Sequence, residues 1–253
     1  KQRNRERVAA LRRELEGARA AQEAQRARRK DTPRVALVGY TNAGKSSLMR
    51  ALTGSDVLVE DKLFATLGTT VRALQPETTP RILVSDTVGF IKNLPHGLIA
   101  SFRSTLEEAH DAGLLLYVVD AADPELRSQL ELTRQVIEEL GAAEIPSRVL
   151  LNKIDRVGAE ERHRLAAELP AALQTCAHDA GDMQRLRETL IAFFEAAWAS
   201  EHFEVPYARS GLLGELRANV RIVSEEYTER GVRLAVRGPP SALSRFRHLL
   251  ERA

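Results

Sequence analysis

The sequence predicts an α/β protein with a mostly parallel six-stranded sheet and helices on both faces, and three observations support this. From Thr32 onward, short apolar runs alternate with amphipathic stretches, the texture of repeated strand and helix units. The first apolar run, "VALVG", passes through a glycine-rich turn straight into a helical pattern. At 253 residues and 43% hydrophobic content, the chain can build one sizeable core and a small satellite.

Taken in order, strands are expected near 34–39, 71–78, 81–86, 114–120, 147–152 and 171–176. Each is a short apolar run, as in "RILVSDT", "AGLLLYVVDAA" and "SRVLLNK". Between them, apolar residues at helical spacing predict helices at 45–53, 97–110, 125–140, 160–168 and 182–199. Trp198 is expected to close the apolar face of the last of these with Leu190, Phe193 and Phe194 and to pack on the sheet. After "HFEVPYARSG" the pattern resets to a hairpin, "RIVSEEYT", "ERG" and "VRLAVRG". A helix follows from Ser241 with Leu243, Phe246 and Leu250 on one side. The organisation expected is a basic helical linker at 1–31, a main α/β domain at 32–200 and a small α+β unit at 201–253.

The net charge of +2 hides an asymmetry: residues 1–30 hold eleven Lys/Arg against four Glu, a net of +7, leaving −5 for the remainder. This segment, with Val8, Leu11 and Leu15 at helical spacing, is expected to be helical. It reads either as a solvated linker or as a face for RNA phosphates. One Cys excludes an internal disulfide and points to a reducing setting, with the cytoplasm expected. The longest apolar runs are about half the roughly 20 residues of a membrane helix, so no membrane span is predicted. The chain is expected to work as a monomer.

The glycine-rich turn "GYTNAGKS" fits G-x-x-x-x-G-K-[ST] between a strand and a helix, the context a phosphate loop requires. Gly39 and Gly44 let the backbone curl so that the N–H groups of Tyr40, Thr41, Asn42, Ala43 and the helix start at Lys45, Ser46 and Ser47 can face an anion. The Lys45 ammonium reaches the terminal phosphates, and the Ser46 hydroxyl ligates Mg²⁺. Downstream, "DTVG" puts Asp86 at a strand end, where it can hold the Mg²⁺ shell, and Gly89 where its N–H can meet a γ-phosphate. After the fifth strand, "NKID" supplies Asn152, Lys153 and Asp155. The Asp155 carboxylate matches the two donors, N1–H and N2–H₂, on one edge of guanine, whereas adenine would leave it facing an acceptor. GTP and GDP are therefore the expected ligands. A backbone N–H near Cys176 and Ala177 could cap the guanine O6, with Cys176 read as a small buried residue. His96, His110 and His178 lie near motifs and are read as surface or capping residues.

Taken together, "GYTNAGKSSL", "LFATL" with Thr70 and Arg72, "DTVGFIKNLPHGLIASFRSTLEE" and "NKID" resemble the HflX GTPases, over most of the chain. The resemblance implies a phosphate-loop NTPase fold of the Ras-like G-domain kind, GTP hydrolysis, and binding to the large (50S) ribosomal subunit and its rRNA with splitting of stalled ribosomes. It implies an N-terminal domain ahead of the linker, and a first residue of Lys rather than Met is expected to mark a fragment of such a protein. Lys45, Thr70 and Gly89 take the catalytic positions, Thr70 joining Ser46 and Asp86 at the metal as the switch threonine. Asn42 resembles the asparagine of G proteins that use K⁺.

Two departures bear on catalysis. Where the family reads L-D-P-T, this chain has "LGTT", Leu67 to Thr70, so Gly68 and Thr69 replace a stiff Asp-Pro and raise the entropy of the loop. The residue after Gly89, where many small GTPases carry a water-orienting Gln, is Phe90. Intrinsic hydrolysis is expected to be slow. A nucleotide-regulated RNA- or protein-binding module with negligible turnover is the alternative.

Overall fold

A computed structural model of the chain describes residues 32–54, 70–86 and 110–251. The readings made for residues 1–31, for Gly68 and Thr69, for Gly89, Phe90 and His96, and for a helix at 97–109 lie outside them.

The main sheet has six described strands: β1 (Arg34–Gly39), β2 (Thr70–Ala73), β3 (Leu83–Asp86), β4 (Leu114–Asp120), β5 (Ser147–Asn152) and β6 (Leu173–Gln174), in the order β2-β3-β1-β4-β5-β6. Only β2 runs antiparallel, pairing with β3 from Thr70↔Asp86 to Ala73↔Leu83. Helices α1 (Lys45–Thr53), α2 (Leu126–Glu139), α3 (Ala159–Glu168) and α4 (Ala180–Glu195) cover it. Side chains of β1 and β4 alternate between two cores. Ala36, Val38, Leu115, Tyr117 and Val119 face one with Leu126, Leu130 and Ile137 of α2. Val35, Leu37, Leu114, Leu116 and Val118 face the other with Leu48, Met49 and Leu52 of α1 and Leu186 and Leu190 of α4. Burial on both faces is why these strands read as unbroken apolar runs, since a parallel sheet has no solvent side.

The second sheet contains β7 (Ala199–Pro206), β8 (Arg221–Tyr227) and β9 (Gly231–Gly238), ordered β7-β9-β8 and antiparallel throughout. Helices α5 (Gly211–Asn219) and α6 (Pro240–Glu251) pack on it. Phe203, Val205, Leu216, Val232, Leu234, Val236, Leu243 and a fully buried Phe246 form its own core.

Several sequence expectations change. The strand at 71–78 ends at Ala73; the Leu74 N–H still reaches Ile82 O at 2.8 Å, but Pro76 and Pro80 have no N–H to continue the ladder. The last strand is short, only Leu173–Gln174. The helix at 182–199 instead starts at Ala180, where the Asp179 carboxylate accepts from the Asp182 N–H at 2.7 Å, and stops at Glu195. Trp198 therefore lies beyond the helix, with the Arg221 guanidinium 5.1 Å from its ring centre, and not in the sheet core. Arg221 also pairs with Glu195, and Arg237 donates to Glu195 O at 3.3 Å, so this corner joins the two sheets. The stretch "ASEHFEVP" is strand β7, its inward residues being Phe203 and Val205, and the boundary after residue 200 falls inside it. Helix α5 was not foreseen, because Gly211 and Gly214 weaken its pattern.

Truncating Phe246 to Ala should cost about 3–5 kcal/mol, because a fully buried ring would leave a cavity. Hydrogen exchange should show this as lost amide protection confined to β7–β9 and α6, with β1 and β4 unchanged.

Candidate nucleotide-binding site

The loop after β1 turns at the carboxyl edge of the sheet, where an α/β fold places its ligands. At Gly39 a Cβ would lie 2.2 Å from the Val118 carbonyl oxygen of β4, so only glycine lets the strand leave at this angle. Asn42 and Gly44 are left-handed, at φ 61° and 93°. A Cβ on Gly44 would come within 2.2 Å of Asn152 Nδ2. The loop thus curls into the start of α1, which exposes N–H groups to an anion.

Lys45 is buried, and its ammonium donates to Gly39 O at 3.1 Å and Tyr40 O at 2.9 Å. Burial lowers its pKa from 10.5 to about 8, and the Asp86 carboxylate opposes that shift. Next to it, the Ser46 hydroxyl donates to Asp86 Oδ2 at 2.7 Å, and Asp86 is fully buried. Thr70 stands opposite Asp86 in the β2–β3 ladder. These three oxygen-bearing side chains suit a hard cation such as Mg²⁺, which takes one or two protein oxygens and completes its shell from phosphate and water. Among the described residues no cluster of three His, Cys, Asp or Glu could hold a metal by itself.

The loop after β5 closes on the first one. Asn152 Nδ2 donates to Ala43 O at 2.9 Å, and Lys153, left-handed at φ 59°, donates to Asn42 O at 2.7 Å. Asn152 Oδ1 and the Thr175 hydroxyl are buried with no hydrogen-bond partner among the described residues, a costly arrangement outside a binding site. Asp155, in a 3-10 turn at Ile154–Arg156, presents an exposed carboxylate. The Cys176 thiol donates to it, which lowers the Asp155 pKa; burial, and then that carboxylate, raise the thiol's. Cys176 is buried as expected, its N–H bonded to Asp182 Oδ2 at 2.7 Å, and Ala177 follows it at the half-exposed rim. Contacts join the loop from Gly39 to Ser46 with Asp86, Asn152 and Lys153, Thr70 lies opposite Asp86, and Asp155 and Cys176 pair with each other just beyond Lys153.

Sequence reading missed Asp120 and Asp182. Asp120 carried a usable signal, an acid at the carboxyl end of a central strand like Asp86; Asp182 carried none. His178 is exposed and lies beside Asp155 and Cys176, and His110 is bonded to Leu140 O.

GTPase HflX of Gluconacetobacter diazotrophicus is 57% identical over 246 residues, 97% of this chain and 55% of that protein. GTPase HflX of Spirochaeta thermophila is 42% identical over 242 residues, 94% of this chain and 58% of that protein. The chain belongs to the HflX family. The wider family described as "50S ribosome-binding GTPase" matches residues 34–153, the span from β1 through Lys153. A solved structure of SsGBP in complex with GDP shares 28% identity and a TM-score of 0.52, over 75% of this chain and 58% of that one. This HflX chain spans about half the length of the curated relatives it matches. None of its described helices is long and apolar enough to cross a membrane.

Because the folded chain lowers the Lys45 pKa, the unfolded state binds more protons between pH 8 and 10.5, and the buried ammonium costs stability below that window. Lys45→Met should therefore leave the nucleotide-free protein at pH 7 at least as stable as wild type, by up to about 3 kcal/mol. The difference should shrink as pH rises from 8 to 10.5, and the variant should show no rise in Tm with GDP. Thermal melts at pH 7 and 10, with and without GDP, check all three.

Proposed function

We propose that this chain binds GTP and GDP with Mg²⁺, hydrolyses GTP slowly, and serves as a nucleotide switch on the large ribosomal subunit in the cytoplasm, splitting or rescuing stalled ribosomes. The observation that carries this reading is the junction at which Asn152 bonds the phosphate loop at Ala43 O. It ties the turn read as phosphate-binding to the end of the strand that leads into Asp155, which supports reading the two as parts of one site. The ribosomal part rests on family membership and on the wider family's description.

In this reading the N–H groups of residues 40–46 and the start of α1 hold the phosphates, and Lys45 exchanges its two carbonyl partners for phosphate oxygens. Asp155 accepts two hydrogen bonds from guanine, a pairing that can discriminate against adenine by roughly four orders of magnitude. Bound Mg²⁺ would offset phosphate charge, held by Ser46 and Asp86, with Thr70 as the switch ligand. Gly89 would offer its N–H to the γ-phosphate, and Phe90 leaves no side chain there to orient water. Asn42 could add a carbonyl to a K⁺ shell.

Asp155→Asn should lower GDP affinity at least about a hundredfold and favour xanthosine diphosphate, which supplies the complementary acceptor. Calorimetry with GDP, XDP and ADP checks it, and wild-type affinity for ADP equal to that for GDP would end the guanine reading. GTP turnover should be about 10⁻³ per second alone and rise about tenfold or more with 50S subunits at low salt. That stimulation should fade as salt rises and when Arg26, Arg28 and Arg29 are neutralised together. Turnover indifferent to subunits would favour the binding-module alternative.

A further inference from the structure

Lys153 is held from two sides. Its ammonium donates to Asn42 O in the phosphate loop at 2.7 Å and lies 2.8 Å from Asp120 Oδ2 at the end of β4. Both side chains of the pair are only 17% exposed, so water screens the contact less than it would an open surface pair. The other carboxylate oxygen, Asp120 Oδ1, accepts the Ala122 N–H at 3.0 Å, which fixes the side chain's rotation. The backbone of Asp120 is anchored as well: it stands opposite Asn152 in the β4–β5 ladder, and Ala121 N donates to Asn152 O at 2.8 Å. A lysine has four rotatable side-chain bonds, and one carbonyl does not hold it.

We propose that Asp120 is a positioning residue for guanine-nucleotide retention: its carboxylate fixes the Lys153 ammonium over Asn42 and so latches the base-binding loop to the phosphate loop. This rests on the reading of Lys153 and Asp155 as the base-binding pair. The latch spans both halves of the site, and affinity changes at one site appear mostly in the rate of release, so release is where its loss is read.

Asparagine is the informative replacement. Asp120 Oδ1 and Oδ2 each satisfy a donor, whereas an amide has one acceptor and two donors of its own. Because the two donors meet different oxygens, Asp120→Asn turns its NH₂ toward either the Ala122 N–H or the Lys153 ammonium, and a contact it keeps with Lys153 is no longer an ion pair.

The experiment measures GDP release by fluorescent-analogue displacement from wild type, Asp120→Asn, Asp120→Glu, Lys153→Met and the Asp120→Asn/Lys153→Met double variant, with melts of each nucleotide-free protein. We expect Asp120→Asn to release GDP about five- to twentyfold faster, with association changed less than about twofold. Glu, which keeps the charge, should restore much of the retention. In the Lys153→Met background the Asn substitution should add almost nothing. Unchanged release in Asp120→Asn overturns the proposal, as does an equal acceleration in both backgrounds, which would place the effect elsewhere in the fold. Should Asp120→Asn melt well below wild type, the Glu variant decides: release as fast as in Asp120→Asn, from a protein of wild-type stability, overturns it. These outcomes are separate from the base reading, which fails only if wild-type protein does not prefer GDP to ADP.

Discussion

The contact on which the rest depends is the hydrogen bond from Asn152 Nδ2 to Ala43 O, 109 residues apart in sequence. Backbone carbonyls in a tight, partly buried turn need donors, and the turn after β1 is too curled to supply them all itself. Asn152 ends a central strand whose position is set by two buried faces of apolar side chains. The phosphate loop is thereby shaped by the sheet and not by its own residues alone. Gly44 is part of the same constraint, since any side chain there would occupy the place of the Asn152 amide.

That dependence explains what was legible in the sequence. Strands β1 and β4 and the second half of β5 are buried on both sides, so their apolar runs leave an unambiguous trace. The motifs follow the carboxyl ends of β1, β3 and β5, and their fixed spacing is what singles out Gly39, Gly44, Lys45, Ser46, Asp86, Asn152 and Asp155 in the sequence. What spacing does not carry is pairing between motifs. Asp120 has no motif of its own, and its contact with Lys153 arises because β4 lies between β1 and β5 in the sheet order. Asp182 reaches Cys176 from the first turn of a helix, a relation no periodicity encodes.

The errors have a common physical origin in edges. At Pro76 and Pro80 an edge strand loses its ladder because two N–H groups are missing, although the surrounding residues look strand-like. Beyond Glu195 the chain leaves a helix of the larger unit and enters the second sheet within four residues, and an apolar helix face merges in sequence with the alternating pattern of β7. Trp198 shows the result: its neighbours suggest a core helix, yet its ring meets Arg221 at the corner between the sheets. Glu195 pairs with Arg221 and accepts from Arg237, so this corner ties the end of α4 to both hairpin strands of the smaller unit.

The central claim is that the phosphate loop and the base loop form one site because they are bonded to each other. Amide NMR during nucleotide titration tests it most directly. GDP should shift the amides of Gly44, Lys45 and Ser46 and those of Asp155, Cys176 and Ala177 along one saturation curve with a single midpoint, while ADP at the same concentrations shifts neither set. Two separate midpoints with GDP, or phosphate-loop shifts of equal affinity with ADP, would contradict it.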